Sequence, residues 1–168
     1  MTPLGLYALV LAAAVTVLDQ LSKWWILTGL RLPERGQIPV LPFCRLTMVW
    51  NRGVSYGLLR AQTDLQRYLL VAAAAAVVIA LIVWVRRTGR PLFATAIGLV
   101  IGGALGNNLI DRLRIGQVVD FLDFSGLGFP WVFNVADSAI SVGVALLLFD
   151  SFFGKPEAAA GKATDKPA

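Results

Sequence analysis

Long uncharged apolar runs alternate with short polar breaks along this chain, and four of the runs are long enough to cross a bilayer. Leu4 to Leu18 carries no charge and continues through Asp19, Gln20 and Lys23 to Trp24-Trp25-Ile26, enough helix to span ~30 Å of hydrocarbon. Tyr68 to Val85 is uncharged, rich in Ala and Val, and stops at Arg86-Arg87-Thr88-Gly89-Arg90. Pro91 opens a third run to Ile110, since proline is tolerated at the first helical position. A fourth begins near Trp131 and reaches Leu148-Phe149, with Asp150 and Lys155 closing it. The first run has an uncharged start and ends in Asp, Lys and two Trp, which does not fit a cleaved signal peptide. It is predicted to be a transmembrane helix.

The breaks differ from one another in length and chemistry. Thr28 to Arg67 is punctuated by Gly29, Pro33, Gly36, Pro39, Pro42, Gly53 and Gly57, and Gln37 to Trp50 carries the β-branched and aromatic residues of short strands. The expected fold is therefore a membrane all-α, four-helix bundle with a small extramembrane β-sheet, a cradle, between the first two helices (about 28–67). Residues 1–153 form the membrane domain, and Gly154 to Ala168 (GKPEAAAGKATDKPA) is expected to be a disordered tail without chemistry. Four spans put both termini on one side. The Arg86, Arg87, Arg90 cluster in a short loop places that side in the cytoplasm, because a longer folded loop translocates with less regard to its charge.

Composition narrows the chemistry. With 57% hydrophobic residues in 168 and a mean hydropathy of +0.72, the chain reads as an integral membrane protein. Its net charge of +5 lies in juxtamembrane Lys and Arg rather than on a basic face with stacking aromatics, so nucleic acid is not an expected partner. There is no histidine, which removes Ser-His-Asp and Cys-His catalysis, the usual zinc sites and a histidine relay. Cys44 is the single cysteine, read as a small half-buried residue. No metal or cofactor is expected.

Charge next to membrane-length helices then stands out. A carboxylate or guanidinium near the centre of a span costs roughly 2.5 to 3.5 kcal/mol on insertion scales, so such residues are functional candidates. The stretch Gly102 to Phe121, GGALGNNLIDRLRIGQVVDF, ends an apolar glycine run in Asn107, Asn108, Asp111, Arg112 and Asp120. Gly98, Gly102 and Gly106 form overlapping G-x-x-x-G pairs that allow close helix approach. Asp120 follows the third span and Asp137 lies about a turn into the fourth, so the two helix ends can bring them face to face. Two carboxyls held together share one proton, one acting as base on water and the other donating to a carbonyl oxygen. Each residue also has a structural role available to it. Asn134-x-x-Asp137 resembles a capping box, Asp111-Arg112 a helix-closing ion pair, Asp19 and Lys23 an i,i+4 anchor, and Asn51-x-Gly53 a turn.

In combination these residues resemble the lipoprotein signal peptidases, the type II signal peptidases of bacteria, from Leu4 to about Phe152. The motifs are Asp19-x-x-x-Lys23, Asn51-x-Gly53, Asn108-Leu109-Ile110-Asp111-Arg112, Val118-Val119-Asp120-Phe121 and Phe133-Asn134-Val135-Ala136-Asp137-Ser138. The resemblance implies a monomeric aspartic endopeptidase of the bacterial inner membrane. It would cut a prolipoprotein just before its diacylglyceryl-modified cysteine at the periplasmic face, in contact with membrane lipid. It makes Asp120 and Asp137 the catalytic dyad. Asn51, Gly53, Asn108, Asp111, Arg112 and Asn134 then hold substrate or orient the dyad, and Asp19 and Lys23 support the site. Two departures are visible: the asparagine after the glycine run is doubled, with Asn108 preserving the N-x-x-D-R spacing, and Ser55 and Tyr56 follow Gly53. Two other readings stay open. One is a small proton- or ion-coupled transporter using Asp19, Asp111, Asp120 and Asp137 as a relay; the other is a structural module assembled through Gly98, Gly102 and Gly106.

Overall fold

A computed structural model describes residues 1–53 and 63–153; the expected tail, and Ser55 and Tyr56, lie outside them. Helix α1 (Pro3–Trp24) starts where Thr2 Oγ1 accepts the amide of Gly5 and Pro3 takes the first turn. It runs on as a π-helical turn, Trp25–Gly29. After a short α2 (Leu32–Arg35), strands β1 (Gln37–Leu41) and β2 (Cys44–Asn51) form a hairpin. Helix α3 (Asp64–Val85) starts one turn before the sequence pattern suggests, because Thr63 and Gln66 close a reciprocal capping box in front of the apolar run. Helix α4 (Pro91–Ala104) continues through a π-helix, Leu105–Asp111, into the turn α5 (Arg112–Arg114). Strands β3 (Val118–Asp123) and β4 (Val132–Phe133) precede α6 (Val135–Phe153). The fourth span thus begins after Trp131, whose neighbours Val132 and Phe133 are strand.

Four helical stretches among the described residues are long and apolar enough to cross a membrane: Pro3–Gly29, Asp64–Val85, Pro91–Arg114 and Val135–Phe153. In the third, 61% of the apolar window is buried, against 28%, 11% and 17% in the others, so α4 is the central helix. Lipid is as apolar as the helices themselves, so close packing and polar contacts hold such a bundle rather than loss of apolar area from water. Glycines set the approach. A Cβ on Gly98 would lie 2.7 Å from the carbonyl oxygen of Ala8, and one on Gly103 only 2.5 Å from that of Ala136. The glycine stripe of α4 therefore packs on α1 and α6 within the chain. Outward-facing Leu18, Leu21, Trp24, Trp25, Val83, Trp84 and Phe149 are exposed, an apolar belt suited to lipid with tryptophans near its ends.

The start of α1 and the α3–α4 connection share one end of the bundle, where the Thr2 amide donates to Arg86 and Thr2 Oγ1 to the carbonyl of Thr88. Arg90 pairs with Asp150 there at 2.6 Å, so both described ends of the chain lie on one side. The sheet sits at the other end. It contains the expected hairpin and two strands more from the segment between α5 and α6, in the order β1-β2-β3-β4, each pair antiparallel. Alternation along β3 turns Val119 and Phe121 into a cluster with Ile26 and Leu32. Asp120 takes the opposite face.

Candidate active site

Strand β3 delivers Asp120 and the first turn of α6 delivers Asp137, and one side chain touches both. Asn134 donates its amide nitrogen to Asp120 Oδ1 at 2.6 Å and accepts the backbone N–H of Asp137 on Oδ1 at 2.8 Å. Asp137 Oδ2 in return accepts the Asn134 backbone N–H at 3.2 Å. The reciprocal pair is the capping box expected from the sequence, and it clamps the two acids. The capping role and the site role of Asn134 and Asp137 are the same geometry.

The other oxygen of Asp120, Oδ2, accepts Asn51 Nδ2 at 3.0 Å. Asn51 sits at the end of β2, and its own Oδ1 takes the amide of Gly53 at 2.9 Å, which turns its NH2 group toward the acid. Asp120 is 2% exposed. Burial first, and then the neighbouring charge of Asp137, push its carboxyl up to about 7 against the opposing pull of the Asn51 and Asn134 donors. Asp123, farther along β3, behaves in the opposite sense: hydrogen bonds from Ser125 and Thr47 hold it down to about 2, which suits an acid that braces the sheet. Both Asp120 and Asp137 line a cleft of about 670 Å³ with Asn51, Gly53, Trp131 and Ile140.

Beneath the cleft lies a fully buried polar layer between α1 and the π-helical end of the third span. Lys23 Nζ stands 2.7 Å from Asp19 Oδ2, 2.8 Å from Asp111 Oδ2 and 2.6 Å from Asn107 Oδ1. Asp19 Oδ1 accepts the amide of Ala136 at 3.0 Å, and Asp111 accepts the amide of Val119 at 3.2 Å and Gln20 Nε2 at 2.8 Å. The Asp19–Lys23 pair is thus no surface anchor: its members are 0% and 3% exposed, and it joins α1 to α6 and, through Asp111, to β3. A Cβ on Gly106 would lie 2.5 Å from Asp19 Oδ2, so this glycine makes room for the layer.

Arg112 is buried and donates from Nη1 and Nη2 to the backbone carbonyls of Arg52 and Gly53, and from Nε to Asn108 Oδ1 at 3.2 Å. It secures the end of β2 that carries Asn51. Asn108, the asparagine chosen from motif spacing to face the acids, meets Arg112 instead. The contact to Asp137 comes from Asn107, whose Nδ2 donates to Oδ1 at 2.8 Å. Sequence reasoning also passed over Gln20. Its signal was a second polar residue beside Asp19 in an apolar run, and for Asn107 the doubled asparagine itself. All the residues singled out from the sequence, Asp19, Lys23, Asn51, Gly53, Asn108, Asp111, Arg112, Asp120, Asn134 and Asp137, meet in this one region, at the sheet end of the bundle.

Known proteins resemble this chain over most of its length. The family model described as signal peptidase (SPase) II matches residues 11–153. The chain is 56% identical over 151 residues to a lipoprotein signal peptidase of Caulobacter vibrioides, covering 90% of this chain and 89% of that one. It is 45% identical over 165 residues to a lipoprotein signal peptidase of Rhodopseudomonas palustris, covering 95% and 99%. A solved bacterial membrane enzyme superposes with a TM-score of 0.74 at 31% identity, over 90% of this chain and 93% of the other. Neither these relatives nor the gathering of carboxyls at one end of the bundle supports a transporter relay, which places acids near the midplane.

Proposed function

The chain belongs to the signal peptidase II family, a bacterial membrane peptidase family, and on that premise we propose that it is an aspartic endopeptidase whose dyad is Asp120 and Asp137. Its substrate is a diacylglyceryl-modified prolipoprotein, cut before the lipidated cysteine. The observation that carries this reading is the Asn134 clamp, which holds one acid from the sheet and one from α6 at the wall of a single cleft. Two carboxyls so held run hydrolysis with one as base on water and the other as acid to the scissile carbonyl. The sequence lacks histidine, so no imidazole competes for the role of base.

The cleft opens between sheet and helices, with apolar Trp131 and Ile140 beside polar Asn51 and Asp137. A substrate whose acyl chains stay in hydrocarbon while its peptide lies at the polar boundary matches that division. Residues 1–153 act as one membrane-embedded protease unit of the inner membrane, working as a monomer. Both termini are cytoplasmic, on the side of Arg86, Arg87 and Arg90, which places the sheet and cleft at the periplasmic face. Asn51, Asn134 and Arg112 orient the dyad and the loop beside it, and Asp19, Lys23 and Asp111 brace it from below.

The test is cleavage of a diacylglyceryl-modified precursor, and of its unmodified form, by purified protein in lipid. Asp120→Asn and Asp137→Asn each lose cleavage by at least about 10³-fold while remaining folded, and the unmodified precursor is not cut. Parent-like turnover by either variant would overturn the aspartic mechanism.

A further inference from the structure

The two acids of the cleft have different surroundings, and the difference starts in the backbone of the third span. Leu105–Asp111 is a π-helix, whose i→i+5 hydrogen bonds enclose one residue more than those of the α form. Two successive asparagines therefore serve one end of the site from different sides: Asn108 meets Arg112, and Asn107 stands between Lys23 and Asp137.

The ammonium of Lys23 can only donate, so it fixes the Asn107 oxygen toward itself at 2.6 Å and turns the NH2 group onto Asp137 Oδ1 at 2.8 Å. Asp137 Oδ2 receives the Asn134 backbone N–H at the positive end of α6. Both oxygens of Asp137 thus face obligate donors, one polarised by a buried cation and one by a helix terminus. Asp120 also has two donors, Asn51 and Asn134, but both are neutral amides. The other charged groups around Asp137 are Asp19 and Lys23 on α1, Asp111 and Arg112 on the third span, and Asp120 on β3. Asp19 and Asp111 are each engaged by Lys23, so the favourable charge reaches Asp137 through the asparagine.

We propose that Asn107 is a positioning residue that passes the influence of Lys23 to Asp137, making Asp137 the base and leaving the shared proton on Asp120. This rests on the aspartic endopeptidase reading above and assigns the roles within it. Asp137 removes a proton from water as the water oxygen bonds to the scissile carbonyl carbon, and Asp120 gives its proton to the carbonyl oxygen. The resulting diol collapses as the C–N bond breaks. Asp137 then delivers its proton to the leaving nitrogen, and a diol hydroxyl returns one to Asp120.

The experiment is the pH dependence of kcat and KM for purified full-length protein cleaving a diacylglyceryl-modified precursor in phosphatidylethanolamine/phosphatidylglycerol vesicles. Asn107→Asp keeps an oxygen for Lys23 but withdraws the donor from Asp137. Asn107→Leu removes both contacts without adding charge. In each, Asp137 holds a proton more tightly, so the acidic limb of kcat moves up by about one pH unit or more, kcat near pH 6 falls about tenfold or more, and KM changes little. An unchanged acidic limb in a folded variant overturns the proposal, because filling space or pairing with Lys23 alone leaves the limb where it was.

Infrared difference spectra at about pH 5.5 give a reading independent of those variants. The protonated-carboxyl band of the site disappears in Asp120→Asn and persists in Asp137→Asn; the reverse pattern overturns the assignment. Asp137→Asn also separates the two levels of inference. If it cleaves like the parent, the endopeptidase reading falls. If it is inactive while both Asn107 variants keep the parent profile, only the role of Asn107 falls.

Discussion

Asp120→Asn carries a prediction about stability that is separate from its effect on cleavage. The carboxyl moves from an ordinary 3.8 to about 7 in the folded protein, so the folded state binds that proton more tightly than the unfolded chain does. Stability from this group is accordingly full below about pH 4 and declines as pH rises through about 7, after which it is constant. At about 1.4 kcal/mol per pH unit, the charged carboxyl costs on the order of 4 kcal/mol at pH 8. Asparagine removes that cost. It also leaves one of the two amide donors, Asn51 or Asn134, facing a nitrogen, a loss of about 1 to 3 kcal/mol at any pH. The variant should therefore be slightly less stable than the parent at pH 4.5 and more stable by about 1 to 3 kcal/mol at pH 8. Thermal unfolding in detergent, followed by the fluorescence of the five tryptophans, measures the difference between variant and parent across that range. Because the charge of Asp137 helps to raise the Asp120 carboxyl, the difference reads Asp120 together with its coupling to Asp137. A difference that stays flat from pH 4.5 to 8 would refute the reasoning.

Two further outcomes follow from the buried layer and the helix contacts. Lys23→Met strands Asp19 and Asp111 without their cation and should destabilise the protein by about 3 to 5 kcal/mol; combining it with Asp19→Asn and Asp111→Asn should recover much of that in the same unfolding assay. Gly103→Ala places a methyl group against the Ala136 carbonyl and Ile140, and should cost about 1 to 3 kcal/mol through overpacking. By pushing α4 from α6 it should also lower kcat, although no polar residue changes.

Much of the architecture was legible because a bilayer imposes simple rules. Uncharged runs of sufficient length become spans, and Gln37 to Trp50 became strands because β-branched residues between Gly and Pro suit a pleated edge. Asp120 and Asp137 were legible as candidates, since a chain without histidine leaves paired carboxyls as the hydrolytic route its composition supplies best. The capping-box spacing of Asn134 and Asp137 was also readable, though only as a cap. The partner strand β3 was harder: Val118 to Phe121 carries Asp120 in its middle, and a short strand with one acid has no period distinct from a loop.

Asn107 shows where one-dimensional reasoning stops. Counting back from Asp111 and Arg112 selects Asn108, because motif spacing assumes a regular helix. A π-helical turn changes which side chain meets which neighbour, and that choice depends on how the third span seats against Lys23 and α6. The sequence by itself determined four spans, a strand-rich break after the first and two acids, Asp120 and Asp137, as candidates, because length, hydropathy and residue chemistry are local properties. Only the tertiary structure decided that Asn134 clamps both acids, that Lys23 lies buried among Asp19, Asp111 and Asn107, and that Arg112 grips the end of β2. Each of those contacts joins residues from different elements, and hydrogen bonds act over about 3 Å, a distance that the order of residues along the chain does not contain.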